Sequence, residues 1–270
     1  MTAFLHNIYG RKLGVDHNEN VLAKQGLGVG SKGNQFLVPS PYTAVKFDDF
    51  LGDTLDTNEW LSAEGTDSST SAAAILAGGI GGVCQLTSGN AGTGEAADAI
   101  TLNGALQWQA SNGNLVFETR IKMDTITNVM CFVGFTDVAT GVEAPVTLSG
   151  TTFTSNATDA VGWLYDTGAT TDTWRMFGVD TDTDATAQDS GASPVADDYE
   201  TLRVEVDSSG VAKFYRNGLG VGTAMTGAVT PAVDLCPIVY WSNLSGTTSR
   251  LLDVDYIHVS MDRAAVGGAA

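Results

Sequence analysis

The chain has little reactive chemistry to offer. Its 270 residues contain only three histidines and three cysteines, and two of the histidines, His6 and His17, stand near the start, with His258 alone near the end. No Ser-His-Asp set or His-rich metal set can be assembled from so few. Cys84, Cys131 and Cys236 lie far apart, make no C-x-x-C pair and are odd in number, so they cannot all close into intramolecular disulfides. They read as small buried apolar residues. The most apolar run, Ala72 to Val83, is Gly/Ala-rich and much shorter than the about 20 residues of a membrane-spanning helix. The opening MTAFLHNIYGRKLGVDH lacks a basic region followed by an apolar one, so no secretory signal is expected. Sustained 3.6-residue periodicity is missing as well, which argues against long amphipathic helices.

Basic residues are scarce and unevenly placed. The chain has 13 Lys and Arg against 31 Asp and Glu, a net charge of −18. Met1 to Lys46 carries five basic and two acidic residues, whereas the remainder carries eight basic and 29 acidic, a charge of −21. Such an acidic body repels phosphate backbones, which excludes nucleic acid as its partner, and it favours solubility.

What the chain does have is strand pattern. In Tyr199 to Gly218 (YETLRVEVDSSGVAKFYRNG), Leu202, Val204 and Val206 alternate with Arg203, Glu205 and Asp207, the mark of a half-buried strand. A turn at Ser208-Ser209-Gly210 leads into a second strand, and Asn217-Gly218 supplies the two positive-φ positions of a tight hairpin. Arg250 to Ser260 alternates too, with Leu252, Val254 and Tyr256 against Asp253 and Asp255. Further strands are expected at Glu59–Ser62, Ile80–Leu86, Ile100–Leu102, Ala105–Trp108, Leu115–Met123, Met130–Phe135, Val161–Tyr165, Trp174–Val179 and Ile238–Trp241. This rhythm, without intervening helices or a fixed repeat, predicts an all-β, two-sheet antiparallel sandwich.

These strands carry a resemblance. The L-R-V-E-V-D-x-x-G-x-x-x-F-Y-x-N-G pattern and the closing DVDYIHV strand, together with Asn114 to Met123 (NLVFETRIKM), resemble the concanavalin A-like or laminin G-like jelly-roll superfamily. Phe47 to Trp60 (FDDFLGDTLDTNEW) is similar to the first segment of such domains in bacteriophage structural proteins. The resemblance runs from Val45 to Asp262. It implies a jelly-roll sandwich over 45–263, an extended N-terminal arm over 1–44 and a short tail over 264–270. The arm is glycine-punctuated and mildly basic, yet Phe4, Tyr9 and Phe36 are apolar with no local core to enter, which suits a segment that lies on a partner.

Each candidate site has a plainer counterpart. The glycosidase branch of the superfamily carries E-x-D-x-x-E, one carboxylate as nucleophile and one as general acid. Glu205-Val-Asp207-Ser-Ser-Gly210 is the nearest match, with glycine where the acid should stand. Gly28-Val-Gly30-Ser-Lys-Gly33 matches G-x-G-x-x-G, but extended residues and Pro39 follow in place of a helix, so no dinucleotide site is expected. Asp180, Asp182 and Asp184 alternate like calcium ligands; Ala185 replaces the bending glycine, and an exposed Thr/Asp edge strand or loop fits equally. Trp163, Trp174 and Trp241 can stack on sugar rings if exposed, or fill the core.

The expectation is a non-enzymatic virion protein, a bacteriophage capsid decoration or cement protein, needing no cofactor. Its partners would be the major capsid protein and neighbouring copies of itself, as a homo-oligomer on the particle surface, and neither nucleic acid nor membrane. Arg11, Lys12, Lys24, Lys32, Phe4, Tyr9 and Phe36 would make the capsid contact. A lectin-like module binding a host-surface glycan is the alternative, and a cryptic glycoside hydrolase a further one.

Overall fold

A computed structural model of the chain describes residues 42–67, 70–90, 92 and 96–263, and the backbone of two strands upstream. The chain divides into two units, Met1–Ala44 and Val45–Ala270. In the first, β1 (Leu27–Val29) and β2 (Gln35–Leu37) pair antiparallel, with Gly28 opposite Phe36. Gly28, the first glycine of the motif, thus lies in β1, and the two strands pair with each other within the segment expected to run extended.

The strands that follow are β3 (Thr43–Asp48), β4 (Leu61–Glu64), β5 (Ala72–Ile75), β6 (Cys84–Thr87), β7 (Ala99–Asn103), β8 (Leu115–Met123), β9 (Val129–Thr136), β10 (Val146–Ser149) and β11 (Thr152–Ser155). They continue with β12 (Ala160–Asp166), β13 (Arg175–Asp180), β14 (Thr183–Asp184), β15 (Gln188–Asp189), β16 (Glu200–Val206), β17 (Ala212–Arg216), β18 (Leu219–Met225), β19 (Cys236–Asn243) and β20 (Leu251–Asp262). Sheet I has the order β14-β13-β12-β9-β19-β7-β4, with β15 also on β13; sheet II has the order β18-β17-β16-β8-β20-β6-β5, with β3 also on β20. The chain passes repeatedly between the two sheets, for example from β8 to β9, from β15 to β16 and from β19 to β20, which makes a two-sheet antiparallel sandwich.

Sheet II behaves as its alternation dictates. Leu115, Phe117, Thr119, Ile121 and Met123 of β8 are buried, while the residues between them are only partly covered. From sheet I, Phe135 meets Phe117 edge-on at 5.7 Å between centroids, and Trp163 meets Phe214 at 5.6 Å. Those rings mark the core between the sheets. Sheet I differs, because every residue of β9, β12 and β19 is buried, on both faces.

The turns follow from their residues. Asn217 (φ 51°) and Gly218 (φ 77°) join β17 to β18 in two positive-φ steps. Thr181 (φ 50°) and Asp182 (φ 58°) do the same between β13 and β14, where no glycine signals it. Asp48 accepts hydrogen bonds from the Phe50 N–H (2.8 Å) and the Trp60 indole (2.7 Å), fixing the segment that opens the sandwich.

Some expected strands need correction. Residues 80–83 belong to a glycine loop ahead of β6, and residues 105–108 contribute only an isolated bridge from Trp108 to Leu235. In β20 the register shifts between Val254 and Tyr256, so Tyr256 lands on the outer face opposite Arg120 instead of continuing the apolar row. Ile257 and Val259 resume the buried row. The bulge adds one residue to one strand and so reverses the alternation beyond it.

Candidate functional site

The near-motif at Glu205 is a β-turn and its flanks. Glu205 lies on the outer face of β16; its Oε1 is ion-paired with Arg203, and its Oε2 accepts from the Tyr215 hydroxyl at 3.0 Å. Asp207 Oδ1 accepts from the Ser209 hydroxyl (2.6 Å), the Ser209 N–H (2.8 Å) and the Val211 N–H (3.1 Å). Those bonds, the Ser209 hydroxyl first, hold its pKa below the ordinary carboxylate value. Gly210 closes the turn at φ +78°, and a Cβ there would stand 2.3 Å from the Val229 carbonyl oxygen. Glycine occupies the acid position for a steric reason.

The surrounding outer face of sheet II is a mesh of ion pairs and hydrogen bonds. Tyr256 donates to Glu118 Oε1 at 2.7 Å, and Arg203 stands 3.9 Å from Glu118 Oε2. Arg120 pairs with Asp255 at 2.5 Å and stacks over the Tyr199 ring at 4.1 Å. Lys122 pairs with Asp253 at 3.0 Å, and Gln85 donates to the same carboxylate at 2.8 Å. His258 is half-buried among these residues; burial is the main cause that lowers its pKa, Arg203 adds to it and Glu118 opposes it. Glu118 and Glu205 thus each contact Arg203 and a tyrosine hydroxyl.

The outer face of sheet I is roofed. Residues 142–157, including the β10–β11 hairpin, lie over it. Ala144, Val146, Leu148 and Ala157 form one apolar cluster with Met130, Phe132, Leu164, Phe177 and Tyr240 of the sheet. Phe153 stacks on Phe177 at 5.1 Å. Asp166 at the end of β12 anchors the roof, accepting from the Leu148 N–H at 2.9 Å and the Gly168 N–H at 2.7 Å; burial raises its pKa in spite of those bonds. This second core was not anticipated from sequence, although Val146, Leu148 and Phe153 around Gly150 carried a hairpin signal.

The remaining candidates separate rather than converge. Trp163, Trp174 and Trp241 are each 0 % exposed, so they fill the core and build no stacking platform. Asp180, Asp182 and Asp184 lie at the β13–β14 hairpin, an exposed Thr/Asp edge; Asp180 accepts from the Thr230 hydroxyl at 2.7 Å. Among the described residues no three His, Cys, Asp or Glu side chains gather as metal ligands would. Cys84, Cys131 and Cys236 are buried free thiols; burial pushes Cys84 and Cys236 up to about 12 and raises Cys131 as well. Phe4, Tyr9, Arg11, Lys12, Lys24 and Lys32 lie outside the described residues, as does the side chain of Phe36. Lys46, counted with the basic segment, belongs to the sandwich: it pairs with Glu59 at 2.9 Å and sits 4.0 Å over the Trp60 ring.

No protein-family model matches the chain. No curated protein matches it either. Solved structures do. The chain is similar to a protein of unknown function from Shewanella oneidensis MR-1, at 13% identity over 85% of this chain and 90% of that one, TM-score 0.52. It is similar to a β-glucanase of Bacillus licheniformis, at 13% identity over 80% and 97%, TM-score 0.54. It is also similar to a glycoside hydrolase family 16 endo-glucanase from Bacteroides ovatus, at 10% identity over 79% and 99%, TM-score 0.55. The fold is the concanavalin A-like jelly roll. At such identities the likeness extends to the fold and no further.

Proposed function

We propose that the chain is a non-catalytic structural protein of a virus particle, a capsid decoration or cement protein, attached through residues 1–44 to a shell of the major capsid protein. The observation that carries the non-catalytic part is the closure of both sandwich faces, one under the β10–β11 roof and the other under its own ion pairs. A sandwich so closed is suited to standing on a surface as a stable, acidic body. The virion setting draws on the resemblance of Phe47 to Trp60 and of the strand pattern to phage structural domains. The basic and apolar residues of the first 44 positions supply what the body lacks for meeting an acidic shell.

The test uses particles stripped of this protein. The full chain is expected to decorate them, and a chain lacking Met1 to Tyr42 is expected to fold and yet fail to bind. Full occupancy by the truncated chain would place attachment in the sandwich. A carbohydrate-binding reading draws support from the glucanases among the similar structures. It requires an aromatic platform other than the three buried tryptophans, and binding to a glycan panel by the full chain would favour it.

A further inference from the structure

The longest charge-free stretch of the chain lies between Asp67 and Glu95, within a body that carries −21 after Lys46. Its described part builds β5, the loop to β6, and β6 itself. β5 closes one end of sheet II, and among the described residues no strand pairs with its outer edge. Ala72 and Ala74 of β5 and Leu76 just after it are exposed.

Beyond it, Gly78-Gly79-Ile80-Gly81-Gly82 presents a single large side chain. Ile80 is 101% exposed. Gly78, Gly81 and Gly82 take φ of +77°, +91° and +83°, and a Cβ on Gly82 would come within 1.9 Å of the Asp49 carbonyl oxygen. The Leu76 N–H donates to the Val83 carbonyl at 2.8 Å, clamping the loop at its neck. So the base of the loop is locked, and its tip holds an isoleucine in water. Next to the tip is a hollow of about 260 Å³, lined by Phe50, Leu51, Asp53, Ile75 and Leu76 and by the backbone of the glycine loop. Leu51 (69%) and Leu76 (36%) on its rim are themselves exposed.

A projecting isoleucine and a receiving hollow on one patch are the two halves of an isologous contact, in which each copy's knob fills the other's hole. The patch carries both its own knob and its own hollow, which selects a second copy as the occupant. A second copy brings the same −21 body, and the neutral strip is where two such bodies can approach with least repulsion. We propose that the Gly78–Gly82 loop and the adjoining hollow form a two-fold interface with a second copy of this chain, Ile80 of each entering the hollow of the other. The inference stands apart from the virion reading, because it concerns the protein free in solution.

Sedimentation of the full chain across micromolar to near-millimolar concentration tests it. A dimer is expected, strengthening as salt is raised and like-charge repulsion is screened. Ile80→Asp and Leu51→Asp are each expected to weaken it about tenfold or more, the loss of a buried apolar side chain, with circular dichroism unchanged. A chain that stays monomeric throughout would overturn the proposal, as would a dimer indifferent to both substitutions. Association that weakens with salt would overturn it too, assigning the contact to the basic N-terminal segment meeting an acidic body. Should either variant fail to fold, the salt response of the unaltered chain still decides between the two.

Discussion

Replacing Gly210 with glutamate completes the E-x-D-x-x-E spacing that starts at Glu205, and the geometry predicts a damaged turn instead of a new enzyme. Two costs add. A residue with a Cβ held at φ +78° is in the left-handed region, worth about 1–2 kcal/mol for an L side chain. That Cβ also stands 2.3 Å from the Val229 carbonyl oxygen, and overpacking of this kind costs about 1–3 kcal/mol. The turn has little freedom to yield: the Gly210 N–H donates to the Asp207 carbonyl at 3.0 Å, and its carbonyl accepts from the Ala228 N–H at 3.0 Å. A total of about 2–5 kcal/mol is a large part of the 5–15 kcal/mol typical of a domain. At about 2–4 °C per kcal/mol for this size, the melting temperature should fall by roughly 4–20 °C. Thermal melts followed by circular dichroism measure it, with Gly210→Ala as control, since alanine brings the same Cβ and backbone demand. Neither the unaltered chain nor Gly210→Glu should release reducing sugar from β-glucan, agar or carrageenan, because Glu205 remains bound to Arg203 and Tyr215. An alanine variant melting with the unaltered chain would refute the steric account, and turnover abolished by Glu205→Gln would refute the non-catalytic one.

Chelator should leave the melting temperature unchanged, and Asp182→Asn and Asp184→Asn should each shift stability by no more than about 0.5 kcal/mol. Asp180→Ala should cost about 1 kcal/mol through the lost Thr230 hydrogen bond; a large drop with chelator would instead reveal a metal site at the hairpin. Cys84 and Cys236, held near 12 by burial, should resist a thiol reagent at neutral pH until the protein is unfolded, and rapid labelling of the native chain would contradict their burial. Asp166 binds its proton more tightly folded than unfolded, so its contribution to stability is greatest at low pH and declines as pH rises through the folded value. Urea unfolding between about pH 3 and pH 7 should therefore show the stability gap between the unaltered chain and Asp166→Asn narrowing as pH rises, and a widening gap would contradict the sign.

The sandwich was legible where one face of a strand is wet. In β8 and β16 the alternating charges, Glu118, Arg120 and Lys122 in one and Arg203 and Glu205 in the other, announce both the strand and its inner face, and the expected spans agree with the structure to within two residues. In β9, β12 and β19 the spans were also legible, but their burial on both faces was not, because Met130, Phe132 and Leu164 look like ordinary strand residues until the roof above them is known. A roof is a long-range packing decision between residues 142–157 and four strands, and no local pattern in 142–157 names the sheet it will cover. Tyr256 fails for the opposite reason: one inserted residue in β20 reverses the alternation, and a two-residue period has no memory across a bulge. β18 was missed because Leu219-Gly-Val-Gly-Thr-Ala-Met dilutes its apolar row with glycine.

The candidate residues were legible in the sequence, but their surroundings were not. Gly210 could be seen as a gap in a motif; that the gap is enforced by Val229 could not. The tryptophans could be read as core or platform, and only their packing against Phe214 and Tyr165 separates the two. Lys46, Arg120, Lys122, Arg175, Arg203 and Arg216 are engaged in ion pairs within the sandwich. With those cations bound at home, the body's surplus of carboxylates defines how it meets anything else: it repels other acidic surfaces except across neutral ground. Two places in the chain escape that rule, the mildly basic first 44 residues and the uncharged strip from β5 through Ile80. Attachment and self-association are therefore expected to be separable, the first lost with Met1 to Tyr42 and weakened by salt, the second lost with Ile80→Asp and strengthened by it.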